Sequence, residues 1–122
     1  MRPLAIALFF VTLAMAADPE AQSIDAFAQA LDAQWDYGKP VASEQRFRSE
    51  LAKWPADSAQ ALEVRTQIAR ALGLQQKFED AHAMLDVVEA KLPNASVHLR
   101  VRYLLERGRA FNSSGSPARP IA

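Results

Sequence analysis

The sequence predicts an all-α fold of about five helices. Apolar residues recur at steps of three and four through most of the chain, which places them on one face of successive helices. Proline, glycine and short polar runs divide this pattern into segments of helical length. No sustained run alternates apolar and polar residues between turn signals, so strands are not predicted. With 122 residues, the chain is long enough for one small domain.

Residues 1–16 predict a cleavable secretory signal peptide. Arg2 supplies a positive charge, residues 4–13 form an apolar run, and a pattern of small residues ends at Ala16. The apolar run is shorter than the roughly 20 residues that a membrane-spanning helix needs. We therefore expect cleavage after Ala16, no membrane anchor afterwards, and a periplasmic or secreted protein. Residues 17–22 are predicted to form a short linker.

The first two predicted helices open a helical domain that we place at residues 23–112. The first helix covers residues 23–35 with Ser23 as its N-cap, and a turn follows. The second helix begins at about Ser43 and stops at Pro55, so the two can form a hairpin. The predicted apolar faces consist of Ile24, Phe27, Leu31 and Trp35 in the first helix and of Phe47, Leu51 and Trp54 in the second.

Three further helices complete the predicted domain. The third covers residues 58–72, a reversal follows at residues 73–77, and the fourth runs from Phe78 until Pro93 closes it. The fifth covers residues 95–112, and residues 113–122 are predicted to be a flexible tail. The apolar rows are Leu62, Ile68, Ala69 and Leu72, then Phe78, Ala81, Leu85, Val88 and Leu92, and finally Val97, Val101, Leu104, Gly108 and Phe111.

Charge is balanced in total but uneven along the chain. Lys and Arg number 14, as do Asp and Glu. This balance gives no support to nucleic-acid binding, because nucleic-acid-binding domains are usually strongly basic. Residues 17–60 hold eight acids and four bases, whereas residues 94–122 hold one acid and five bases. Such a dipolar molecule favours an acidic partner or head-to-tail association, although ordinary differences between solvated helix faces give the same counts.

Two stretches of the chain resemble each other at a distance of 38 or 39 residues. The sequence LAKWPADS at residues 51–58 returns as EAKLPNAS at residues 89–96. Residues 66–78 also align with residues 105–117, which pairs Arg70 with Arg109. A period in this range indicates stacked helical hairpins, each of which is unable to bury its apolar face alone.

Residues 62–93 resemble a tetratricopeptide repeat. In that family two antiparallel helices have small residues at their closest crossing, a bulky residue opens the second helix, and a proline ends it. Ala69 and Ala81 match the small positions, Phe78 opens the second helix, and Pro93 follows it. The resemblance implies a short right-handed solenoid of antiparallel helical hairpins. It also implies a scaffold that binds a protein or peptide, performs no reaction and needs no cofactor.

The resemblance further implies a binding groove. In the family, the first helices of successive repeats line a concave groove that receives peptides. Arg70 and Arg109 occupy matching positions, from which two guanidinium groups can hold a carboxylate. The alternative is that both are ordinary solvated residues, since arginine is a good helix former. The implied binding residues are Thr66, Arg70, Arg102, Leu105, Arg109 and Asn112.

The sequence departs from the family at three places. Ala69 stands where glycine is usual. Arg65 stands where an aromatic residue is usual, and Pro120 stands where a second small residue would be needed, in a position that breaks a helix. Helix 95–112 is therefore expected to lack a partner helix. Its apolar face could be covered by a second copy of the chain or by another protein, or the chain could be a remnant of a longer repeat protein without activity of its own.

An enzymatic alternative depends on the fourth helix. Glu79, His82 and Asp86 are spaced so that they share one helix face, and nitrogen and oxygen ligands of this kind can bind a divalent metal. A charged face beside an apolar stripe is nevertheless the ordinary condition of an amphipathic helix. The sequence has no cysteine and no phosphate-binding loop, catalytic triad motif or metalloprotease motif. We therefore predict a binding protein without a metal or another cofactor.

Overall fold

The computed structural model describes residues 19–114, and the side chains of residues 24–113. Within this part of the chain it contains five α-helices, one short 3₁₀ helix and no strand, which confirms the all-α prediction. No helix in residues 19–114 is long and apolar enough to cross a membrane. The predicted signal peptide and residues 115–122 of the predicted tail lie outside the described residues. The helices are α1 (Pro19–Asp32), α2 (Pro40–Leu51), α3 (Ala59–Leu74), α4 (Phe78–Glu89) and α5 (Val97–Ser114), and the 3₁₀ helix is Leu92–Asn94.

Helix α3 is the centre of the domain. It packs against each of the other four α-helices. It is buried on almost every side, so that the polar side chains of Glu63, Thr66 and Gln67 lie inside together with its apolar residues. Buried polar groups need hydrogen-bond partners, and the partners of these three side chains organise the surface described below. The largest fully buried apolar side chains around α3 are Leu31, Phe47, Leu85 and Val88.

The predicted boundaries between α3 and α4 agree closely with the structure. Ser58 is the N-cap of α3, where its hydroxyl accepts a hydrogen bond from the Ala61 N–H at 3.1 Å. Helix α3 continues to Leu74, two residues beyond the predicted end. Gln76 then adopts a left-handed backbone conformation with φ of 63°, and α4 begins at Phe78 as predicted.

The N-terminal helices begin earlier than the sequence predicts. Helix α1 starts at Pro19, so Ser23 lies inside it and does not cap it, and most of the predicted linker is helical. Helix α2 starts at Pro40, before the predicted start at Ser43. Proline is well suited to the first helical position because its N–H would have no partner there. The buried Ser43 hydroxyl then bonds the backbone N–H and carbonyl of Asp36, each at 2.9 Å.

Helix α5 points its predicted apolar row outward. Val97, Val101 and Leu104 are exposed, whereas the buried side of the helix carries a different and partly polar row. The sequence therefore places α5 correctly, but the side with the highest apolar content is not the side that packs on the domain. The buried row consists of Leu99, Tyr103, Glu106 and Ala110.

Candidate functional site

Arg70 of α3 lies on an aromatic platform formed by Trp35 and Tyr37. The two rings stack at 4.7 Å with an interplanar angle of 9°. The guanidinium carbon of Arg70 is 4.7 Å from the centre of the Tyr37 ring and 5.4 Å from that of Trp35. Trp35 is held in turn, because its Nε1 donates a hydrogen bond to Gln67 at 2.8 Å. Cation–π contacts of this kind orient a guanidinium while most of its N–H donors stay available.

Arg70 forms no ion pair among the described residues, although it donates a hydrogen bond to the Tyr37 hydroxyl at 3.4 Å. It faces a small cleft between α3 and α5, with a volume of about 120 Å³. Arg109 lines the same cleft from α5. The structure therefore brings together the two arginines that the repeat alignment pairs. The other residues of this α3–α5 cleft are Ala69, Gly73, Leu74, Glu106, Ala110 and Ser113.

The base of the α3–α5 cleft contains a buried carboxyl group, that of Glu106. Its side chain is 1% exposed. Its Oε1 accepts a hydrogen bond from Arg109, while its Oε2 has no partner among the described residues. Burial raises the pKa of Glu106 above its ordinary value, although the positive charges of Arg109, Arg70 and Arg102 oppose this rise. The cleft thus combines two arginines with one buried carboxyl group whose pKa is raised. Sequence reasoning missed Glu106, and its only signal is its position three residues before Arg109.

Arg102 forms ion pairs inside the domain. Its guanidinium donates to Asp32 of α1 at 2.6 Å and to the fully buried Glu63 of α3 at 2.9 Å. His98 approaches the same Glu63 oxygen at 3.0 Å. Burial lowers the pKa of Arg102, but the hydrogen bonds and charges of Glu63 and Asp32 outweigh burial and hold it above its ordinary value. The donors of Arg102 thus already link three helices, and its role as a ligand-binding residue stays a prediction.

The remaining predicted binding residues occupy two different environments. Thr66 is fully buried, where its hydroxyl donates to the Glu63 carbonyl at 2.6 Å and accepts from Gln67 at 3.2 Å. Its side chain is therefore not accessible to a ligand, contrary to the predicted role. Leu105 and Asn112 are both exposed on α5. Neither of these two lines the α3–α5 cleft.

His82 and two nearby acidic residues of α4 bind Arg107 of α5. Arg107 donates to His82 Nδ1 at 2.9 Å and pairs with Asp86 at 2.6 Å and with Glu89 at 2.9 Å. Because a guanidinium has only donors, Nδ1 must be the acceptor and the proton of a neutral His82 is on Nε2. Burial lowers the pKa of His82, the charge of Arg107 lowers it further, and Asp86 opposes them. A cation already lies against these groups, and no three acidic or histidine side chains in the described residues are arranged to hold a metal ion.

A wider pocket of about 600 Å³ lies between the middle of α1, the N-terminal ends of α3 and α5, and the C-terminal end of α4. Apolar residues such as Ile24 and Leu62 line it, and its charged groups largely satisfy one another. Lys91 lies 3.4 Å from Asp57, and His98 contacts Glu63. The α3–α5 cleft is therefore the stronger candidate, because it alone of the two presents a guanidinium without a carboxylate partner.

No protein-family model, no curated protein and no solved structure matches this chain.

Proposed function

We propose that this chain is a periplasmic or secreted scaffold that binds an acidic peptide or protein partner at the α3–α5 cleft and performs no reaction itself. The observation that carries the proposal is Arg70, which is oriented by Trp35 and Tyr37 and has no carboxylate partner, facing the same cleft as Arg109. A guanidinium without a carboxylate partner is suited to a carboxylate ligand, because it can donate two parallel hydrogen bonds. Arg109, whose Nη1 already donates to Glu106, adds a second positive charge beside the same cleft.

We also propose that the helices form a short right-handed solenoid like that of the tetratricopeptide family. The pairing of α3 with α5 supports this arrangement. Glu63, early in α3, contacts Arg102 in the first half of α5, while Gly73, late in α3, lines the cleft with Ser113, late in α5. The two helices therefore run in the same direction, as the first helices of successive repeats would.

The position of α4 supports the hairpin part of the same proposal. The Lys77 N–H, just before α4, donates to the carbonyl of Leu72 near the end of α3 at 2.9 Å. Further along α4, Met84 contacts Arg65 of α3, with 3.7 Å between Sδ and Nη1. Residue numbers along α3 thus fall as those of their contacts along α4 rise, which is the pattern of an antiparallel helix pair.

Export is the second part of the proposal, and residues 1–16 are the feature that supports it. When a bacterial host expresses the full chain, we expect the protein in the periplasm or medium to begin at residue 17. Mass spectrometry of the recovered protein measures this directly. A recovered chain that keeps residues 1–16, or one that stays in the cytoplasm, would contradict export by a cleaved signal peptide.

Charge reversal of the cleft tests the binding proposal. A labelled library of short acidic peptides, each with a free or an amidated C-terminus, can be screened by fluorescence anisotropy. We expect the variant Arg70→Glu with Arg109→Glu to bind the selected peptides about 100-fold more weakly or worse, because two charge-assisted hydrogen-bonding groups become repulsive. The free and amidated pairs show whether the terminal or a side-chain carboxylate is held.

The matched control for this experiment is Arg48→Glu with Lys53→Glu. It makes the same change in net charge at two exposed side chains whose partners, Glu44 and Glu50, belong to α2 itself. We expect nearly unchanged binding in this control. Equal binding losses in both double variants would mean that only net charge matters, and unchanged binding in the cleft variant would exclude the cleft.

A further inference from the structure

A row of apolar side chains runs along the outer side of α5. We call Val97, Val101 and Leu104, together with Gly108, the outer strip. The three large side chains are 75%, 51% and 66% exposed, respectively. Their spacing places them on one side of the helix, where no described helix covers them. An exposed apolar row of this length, on a helix that also carries four arginines, is a candidate interaction surface.

The outer strip corresponds to the side of α3 that α4 covers. Residues 39 apart are buried in the same way in the two helices: Val64 and Tyr103, Gln67 and Glu106, and Ala71 and Ala110. The same offset pairs Leu62 with Val101, Arg65 with Leu104, and Ala69 with Gly108. In α3, Leu62 and Ala69 are buried and Arg65 contacts Met84 of α4. Helix α4 thus covers, on α3, the side that corresponds to the uncovered side of α5.

The charges beside the outer strip limit what can occupy it. Helical spacing puts Arg100 and Arg107 along one edge of the strip, and Arg107 is already paired with Asp86 and Glu89 of α4. Arg100 donates only to the carbonyls of Leu92 and Pro93, each at 3.2 Å, so its charge is not neutralised by a described carboxylate. Arg100 therefore favours an acidic partner over a second copy of α5, because the only acid of α5, Glu106, is buried and cannot reach it.

The helix that covers α3 shows which composition meets these requirements. Helix α4 presents buried Ala81, Leu85 and Val88 beside four acidic residues, and it contains neither Lys nor Arg. We propose that the outer strip of α5 binds an amphipathic helix of a partner protein that has apolar residues at helical spacing and acidic residues beside them. This surface is distinct from the α3–α5 cleft and does not depend on carboxylate binding there.

A synthetic peptide of residues 77–92 is the probe that tests the proposal. We expect the labelled peptide to bind the full chain saturably by fluorescence anisotropy and to gain helical circular dichroism. Leu104→Asp should weaken binding by at least about tenfold, since it places a charge at the centre of the contact. Arg100→Glu should weaken binding and reduce its dependence on salt.

Three controls make the result specific. Val41→Asp changes an equally exposed apolar residue on α2 and should leave binding unchanged, and circular dichroism of each variant verifies its fold. Arg70→Glu, which alters the cleft, should also leave binding unchanged, so failure of the cleft proposal and failure of this one are distinguishable. Absence of saturable binding, or equal affinities of the Leu104→Asp and Val41→Asp variants, would overturn the proposal. The proposal would also be overturned if the chain formed a dimer and Leu104→Asp abolished that dimer, because the strip would then bind a second copy.

Discussion

Replacement of Arg102 by leucine is expected to lower the free energy of unfolding by about 3–5 kcal/mol, the usual cost of removing one member of a buried ion pair. Glu63 is fully buried, and its Oε2 has no hydrogen-bond partner among the described residues. Arg102 and His98 both contact its other oxygen, and only Arg102 carries a permanent charge. Without Arg102 the carboxylate would keep the desolvation cost of burial and lose its main compensation. Urea denaturation at pH 7, followed by circular dichroism, measures the change.

Two further variants separate the buried pair from the surface contact of the same arginine. Asp32→Asn removes the outer partner, which is partly exposed, and should cost less than about 1 kcal/mol. Glu63→Gln combined with Arg102→Leu removes both buried charges and should be more stable than Arg102→Leu alone. If Arg102→Leu cost no more than Asp32→Asn, or if the double variant recovered nothing, the buried carboxylate would not be the source of the effect.

The middle of the fold could be predicted from the sequence because local signals and packing agree there. Ser58 is a standard N-cap, Phe78 follows a polar turn, and α4 has one apolar face that is also its buried face. In α5 the local sequence pattern and the packing disagree. Periodicity selects the side with the most apolar residues. The buried side instead includes Tyr103, whose hydroxyl donates to Glu89 of α4, and Glu106, whose Oε1 accepts from Arg109 of the same helix.

The candidate site was predictable only in part, for a similar reason. Arg70 and Arg109 could be paired because they are equivalent positions of an internal repeat. The contact of Arg70 with Tyr37 joins residues 33 positions apart, and that of Arg102 with Asp32 joins residues 70 positions apart. Such contacts depend on how α1 packs beside α3 and α5, which the pattern within any single helix does not encode. For this reason the aromatic platform and the ion pairs of Arg102 can be identified only from the three-dimensional structure.

Replacement of Phe47 by alanine is expected to lower the free energy of unfolding by about 3–5 kcal/mol, the range for large aromatic side chains in a core. Phe47 is fully buried in α2, and its ring lies edge-on to Trp35 at 4.8 Å. Since domains of this size are stable by roughly 5–15 kcal/mol, the loss would be a large share of the total. Urea denaturation measures it, and Phe47→Leu, which keeps most of the volume, should cost clearly less.

Phe47 also connects the core to the cleft, and Tyr37→Ala distinguishes the two roles. Phe47 supports one side of Trp35, while Tyr37 and Arg70 stack on that ring from outside. Tyr37 is more than half exposed, so its removal should cost about 1 kcal/mol or less and yet weaken peptide binding, because Arg70 loses its nearer ring. A Tyr37→Ala variant as unstable as Phe47→Ala would place Tyr37 in the core. One with normal peptide affinity would mean that the aromatic platform does not orient Arg70 for a ligand.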